Sequence, residues 1–280
     1  MTQSSVITGM VILVCCGSSR PVRLEGQSAT EPVAQWNLAG LRLGFCIDFL
    51  MDSTAAIEQV RKVDESYLVV PASQYATLNP ALGALVGRRP EFASWIPASV
   101  CIITADTVTV GDRTVTDDDP EKRPMVGFWG IAAKPADQPY ADSVMAVPVM
   151  FTNNRDVTKN SSLKKLKLDK VKEDRGDSQD TPGDRFYQVR VKKTDIHWTG
   201  HMAGTPTAAE PRRWTLMFKG HRGSFWMANV RLQPDEQQFV VGSLRIQGND
   251  DLAKALKGSP IRMQGPAFWG GVGTVEFYSW

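Results

Sequence analysis

The sequence is short of the residues that build metal and phosphate sites. Its 280 residues include three histidines and four cysteines. His197 and His201 stand at a metal-binding spacing, but Ile196, Trp198, Thr199 and Gly200 set them in strand or turn. In extended chain their rings would lie about 13 Å apart, too far to share one zinc. Asp117, Asp118 and Asp119 lack the alternating spacing and the glycine of a calcium loop. There is no glycine-rich phosphate loop and no Gly-x-Ser-x-Gly elbow. No metal and no cofactor is therefore expected. Charge of one sign is also missing. A formal net charge of +2 lacks the basic excess of an obligate nucleic-acid binder. No apolar run is long enough to cross a bilayer as a mature helix.

Apolar residues suffice for a sizeable core, at 42% hydrophobic against 22% charged. Residues 1–35 read as an N-terminal tail, and 36–280 as a single β-rich domain. Val6 to Cys16 is apolar or small, and Leu13-Val14-Cys15-Cys16 is similar to a lipoprotein cleavage site with Cys16 acylated. Gly17 to Pro32 would then be a tether, and membrane contact would come only through that lipid anchor. No Lys or Arg precedes the apolar run, as a signal peptide requires, so cytoplasmic retention is favoured over export. Cys46 and Cys101 lie in apolar, strand-like runs and are expected as small buried hydrophobes rather than a bridge.

Strand signals dominate from Gly40 onward. Gly40 to Leu50 reads as the first core strand, and Asp52 or Ser53 caps a short helix through Ile57 and Val60. Tyr67 to Val70 is a strand stopped by Pro71, and Pro80 starts a helix that ends near Gly87. Val100 to Val110 turns at Gly111-Asp112 into Thr114 to Thr116. Met125 to Ala133 places Phe128 and Trp129 on opposite faces. Glu173 to Asp184 is polar and expected as a mobile loop. Phe186 to Trp198, Arg213 to Phe218, Ser224 to Leu232, Phe239 to Ile246 and Gly273 to Tyr278 read as strands. Between the last two, Asn249 caps a helix that Gly258 and Pro260 stop. The fold class is α+β, mainly β: a curved, largely antiparallel sheet or barrel-like structure with a few short helices.

The organising stretch is Val144 to Lys172. An apolar run, Val144 to Phe151, ends in a polar corner, Thr152-Asn153-Asn154-Arg155-Asp156, and a lysine-rich segment follows. Leu163, Leu166 and Leu168 interleave those lysines, which marks a solvated helix or strand face. At the corner, Arg155 offers a guanidinium fork suited to a carboxylate, beside Asn153, Asn154 and Asp156. These four are the candidate ligand-binding residues, with Asp48, Asp106 and Glu276 as alternative partners for Arg155. The expected partner is a small, anionic organic molecule. The sequence carries no signal of oligomeric state and names no catalytic residue.

The layout from about Leu41 to the C-terminus resembles the acetoacetate decarboxylase-like superfamily. The resemblance lies in Tyr67-Leu68-Val69-Val70-Pro71-Ala72, in the two strand blocks Met125 to Ala133 and Val144 to Phe151 with the asparagine-rich corner, and in Gly242 to Ile246, Asp250 to Leu256 and Pro260 to Gly265. It implies a curved, mostly antiparallel β fold around a small-molecule pocket. Enzymes of that family carry a Schiff-base lysine after Gly-Arg-Glu and Pro-Lys. Here Arg155-Asp156 stands where Arg-Glu would, and no Pro-Lys follows, so no catalytic lysine carries over. The resemblance thus implies a small-molecule-binding protein or a divergent enzyme on that fold, lyase-like if catalytic. The alternative is a non-catalytic cell-envelope lipoprotein or an interaction module.

Overall fold

The structure, a computed structural model, describes residues 31–75, 80–116, 123–137, 144–153, 169–176, 184–220 and 223–279. The first half contains β1 (Ala34–Met51), α1 (Ser53–Val63), β2 (Tyr67–Val69), α2 (Ala72–Tyr75), α3 (Pro80–Arg88), β3 (Ile96–Val110), β4 (Arg113–Thr116), β5 (Met125–Pro135) and β6 (Val144–Thr152). The second contains β7 (Asp169–Gly176), β8 (Asp184–Val191), β9 (Thr194–Ala208), β10 (Arg212–Lys219), β11 (Phe225–Gln233) and β12 (Glu236–Gln247). It closes with α4 (Asp251–Gly258), β13 (Arg262–Gln264), β14 (Ala267–Trp269) and β15 (Val272–Ser279). The chain is mainly β, as its alternation and turn chemistry imply.

Four strands, β1, β3, β5 and β6, pair in that order and form the centre of the molecule. Two circuits share them. One closes through β10, β11 and β15 back to β1, a seven-strand barrel. The other runs from β6 through β7, β8, β9, β12 and β14 to β1. The shared strands are therefore buried on both faces. Leu43, Phe45, Ile47 and Phe49 of β1 join one core with Trp129, Trp198 and α1. Trp36, Leu38, Leu41 and Cys46 of the same strand join the other, inside the seven-strand barrel. This double burial is why Val144 to Phe151 reads as a continuous apolar run rather than an alternating one.

Local chemistry sets the helices. Asp52 caps α1 by accepting hydrogen bonds from the Thr54 and Ala55 amides at 2.9 and 3.2 Å. The cap of α4 is Asp250, one residue later than expected, and it accepts from the Ala253 amide at 3.0 Å.

Four expectations are corrected. Cys46 and Cys101 are bridged: they are register partners across β1 and β3, which brings their side chains together on one face with Cα atoms 4.1 Å apart. Phe186 to Trp198 is a hairpin, broken at Lys192-Lys193 between β8 and β9. Part of the expected loop after Glu173 is strand, because β7 joins the ladder of β8 through its backbone, which is indifferent to side-chain polarity. The first strand begins at Ala34, and its early residues pair with β15. Residues 1–30 and the lysines between 154 and 168 lie outside the described residues.

Candidate functional site: a cavity where β6 forks

On its outer edge β6 has two different neighbours. β10 runs parallel to Met145 and Ala146, and β7 runs parallel to Phe151 and Thr152. Between them, Val147 to Met150 has no strand on that edge among the described residues. On its inner edge the register with β5 slips there. Trp129 pairs with Val149, but Ile131 pairs with Ala146, so Val147 and Pro148 oppose Gly130 alone. That is a β-bulge, a device found beside active sites. Proline is tolerated at such a position because no ladder partner needs its missing N–H.

A cavity of about 320 Å³ opens at this fork, a volume within the range of small-molecule sites. One wall is Val147 to Met150 with Trp129. The end of β10 supplies Phe218, Lys219 and Gly220, and the β8–β9 turn supplies Lys192. Helix α1 supplies Gln59, Lys62 and Val63, and the start of α4 supplies Asp250 and Asp251. Three lysines and two aspartates stand on the wall, and Glu58 just outside it pairs with Lys62, so the charges balance.

Both aspartates are committed. Asp251 accepts from Gln59 Nε2 at 3.0 Å and Lys62 Nζ at 3.1 Å. Those bonds, Gln59's first, hold its carboxyl below the usual carboxylate range. Asp250 caps α4 and also takes the Lys193 amide at 3.2 Å and the Thr194 hydroxyl. It thereby ties the β8–β9 turn to the helix. That turn holds Lys192 at a φ of 56°, the one non-glycine residue with positive φ among the described residues, and strain of this kind gathers at functional sites. Lys62 Nζ also reaches Glu58 at 2.8 Å, and its pKa is raised, first by Glu58 and further by Asp251.

Trp129 is 1% exposed, and its indole N–H has no acceptor among the described residues. A buried donor without a partner costs about 1–3 kcal/mol, and the Trp36 indole N–H in the other core is orphaned in the same way.

Of the four residues singled out from sequence, Asn153 is described. Asn153 leaves β6 beyond the cavity and clamps the start of β5: its Oδ1 accepts from the Met125 amide at 2.9 Å and its Nδ2 donates to the Arg123 carbonyl at 2.7 Å. Asn154, Arg155 and Asp156 lie outside the described residues. Their proposed acidic partners have other company. Asp106 meets Arg42 at 2.6 Å and Arg123 at 3.4 Å, and Glu276 meets Arg231 at 3.4 Å. Sequence reasoning missed Lys192, and a signal was present. Val189-Arg190-Val191 alternates, Lys192-Lys193 interrupts, and Thr194-Asp195-Ile196 resumes, the pattern of a two-residue hairpin.

No protein-family model matches the chain, and no curated protein does. Among solved structures it is similar to the enduracididine biosynthesis enzyme MppR complexed with the condensation product of pyruvate and imidazole 4-carboxaldehyde. That match has 13% identity and a TM-score of 0.47, and covers 94% of this chain and 95% of that one. MppR complexed with pyruvate gives 11% identity and a TM-score of 0.47, over 94% and 96%. A structure of acetoacetate decarboxylase gives 11% and 0.47, over 88% of each chain. The family that the sequence layout resembles is among them.

Proposed function

We propose that this protein binds a small organic anion in the cavity at the β6 fork. The observation that carries this is the buried, unpartnered Trp129 N–H on the wall. The ligand's acceptor, a carboxylate or carbonyl oxygen, completes that hydrogen bond. Lys192 and Lys219 on the wall offer ammonium donors to an anion, and Val147, Val149 and Phe218 take its apolar part. Arg155, Asn154 and Asp156 follow β6 in sequence and stay candidates for binding the same ligand.

The reading is one of binding. Lysine-based lyase chemistry needs an amine whose pKa is depressed, whereas Lys62 is pushed the other way by Glu58. The Cys46–Cys101 bridge supports the second reading, an exported protein, because such bridges persist in oxidising compartments.

The test is a panel of small keto acids and fatty acids against wild type and Trp129→Phe, read by calorimetry. Phenylalanine keeps the ring and deletes the donor. The expected result is about tenfold weaker binding of the best ligand, the loss of one hydrogen bond of about 1.4 kcal/mol, with thermal stability unchanged or raised. Equal affinity of the two proteins for a ligand that binds wild type would remove Trp129 from the site.

A further inference from the structure

The wall of the fork cavity offers main chain as well as side chains. Met125 fixes which way the backbone of β5 points. Its N–H donates to Asn153 Oδ1 at 2.9 Å and its carbonyl accepts from the Thr152 hydroxyl at 2.7 Å, so both groups face β6. Backbone groups alternate between the two edges of a strand, so Trp129 and Ile131 face β6 as well. Their register partners are Val149 and Ala146. Those two spend their backbone groups on β5, and their neighbours Met150 and Val147 turn theirs to the outer edge. The bulge keeps the two in phase. Val147 and Met150 are three residues apart, yet both pack into the barrel core, while Ala146 and Val149 both pack into the other. Regular alternation would separate each pair, and one extra residue reunites it.

The two outer neighbours leave part of this edge unused. Bonds in a parallel ladder are slanted, so a bridge takes groups from the residues on either side of it. The β10 bridge at Ala146 takes the Val147 N–H, and the β7 bridge at Phe151 takes the Met150 carbonyl. The Val147 carbonyl and the Met150 N–H are left, and Pro148 between them has no donor to add. Outside the ladders, no backbone hydrogen bond meets either group among the described residues. Both residues line the cavity. An acceptor followed by a donor at this offset is what one residue of a parallel strand engages: its N–H gives to the first and its carbonyl oxygen takes from the second.

We propose that the anion bound at the β6 fork is an N-acylated α-amino acid, held as a one-residue strand between β10 and β7. The proposal rests on the reading of this cavity as a small-anion site. The ligand's amide N–H donates to the Val147 carbonyl. One oxygen of its carboxylate accepts from the Met150 N–H, a charge-assisted bond. Strand addition of this kind is an established mode of peptide recognition, and here β10 and β7 occupy the edge on either side, which limits the addition to one residue. A simple keto acid has no donor for the Val147 carbonyl and would leave it unsatisfied, at a cost in affinity. The acyl group and the amino-acid side chain meet the apolar wall of Val149 and Phe218.

The probes are N-acetyl-L-alanine and its ester analogue O-acetyl-L-lactate, which keeps the shape and the charge and replaces the N–H by oxygen. Titrated by calorimetry into wild type, the amide should bind about tenfold more tightly than the ester. In ¹⁵N spectra of methionine-labelled protein, the Met150 amide resonance should move in step with that isotherm. Met150→Leu, a volume-conserving change, identifies the resonance by its loss. Equal affinity of amide and ester overturns the proposal, as does a Met150 resonance that stays fixed while N-acetylalanine saturates the protein. A keto acid that binds wild type and weakens in Trp129→Phe, while N-acetylalanine fails to bind, overturns the ligand class and leaves the cavity reading in place. Failure of every acid to bind removes both.

Discussion

The shared sheet splits twice, and the two splits end differently. On β1, β15 pairs with Ala34 to Ala39 and β14 takes over at Gly44. On β6, β10 leaves at Ala146 and β7 arrives at Phe151. The first split is sealed. The Gly40 amide donates to the Gly271 carbonyl at 3.1 Å and the Gly270 amide to the Leu41 carbonyl at 2.6 Å. The Phe268 ring lies where a Gly44 side chain would be, 2.0 Å from an added Cβ. The second split has a bulge, a proline and a cavity instead. Two strands can therefore diverge from a common edge at no cost in unsatisfied backbone if glycine lets the chain close in. Where bulky and ring-constrained residues stand, the gap stays open and chemistry can collect in it.

Breaking the sealed side should cost most. Its strands are also clamped by the bridge, so Cys46→Ser with Cys101→Ser should lower stability by about 2–5 kcal/mol, measured by denaturant unfolding. Gly271 has a φ of 67°, and an added Cβ would stand 2.0 Å from the Gln233 carbonyl oxygen. Gly271→Ala should cost about 2–3 kcal/mol in the same assay. On the open side, Pro148→Ala should stay within about 0.5 kcal/mol of wild type, and a cost equal to that of Gly271→Ala would erase the contrast.

Three smaller effects follow. Asp48 has its pKa raised by burial. It binds its proton more tightly folded than unfolded, so its contribution falls as pH rises above the unfolded value of 3.8. Asp48→Asn should then raise the melting temperature at neutral pH and change it little below that value. Asp251 has the opposite sign: its lowered pKa makes a contribution present at neutral pH and lost on acidification. Lys192→Gly relieves a left-handed lysine. It should leave stability within a few tenths of a kcal/mol or raise it, while weakening anion binding at the fork.

Much of the fold was legible because strands announce themselves by β-branched alternation and helices by caps and stops. Asp52, Pro71, Pro80, Gly111 and Gly258 all mark boundaries near where the chain changes direction. The apolar Val144 to Phe151 run correctly marked a strand deep in the sheet. Less legible was anything decided by long-range register. The pairing of Cys46 with Cys101 depends on which residues face each other across β1 and β3, which composition does not contain. β7 was hidden because a backbone ladder can recruit a polar segment. The site was only half legible. The sequence pointed to the polar corner at the end of β6, whose Arg155 lies outside the described residues, while the cavity opens earlier on the same strand, at Val147 to Met150.

The central claim concerns one hydrogen atom on Trp129. The protein has eight tryptophans, and the indole N–H resonance missing from the spectrum of Trp129→Phe identifies the one on the cavity wall. Titration of ¹⁵N-labelled wild type with the best-binding organic acid reads it directly. The account predicts that this resonance moves downfield as the ligand's oxygen accepts the hydrogen bond, in step with the calorimetric isotherm. A ligand that saturates the protein while the Trp129 resonance stays fixed would contradict it.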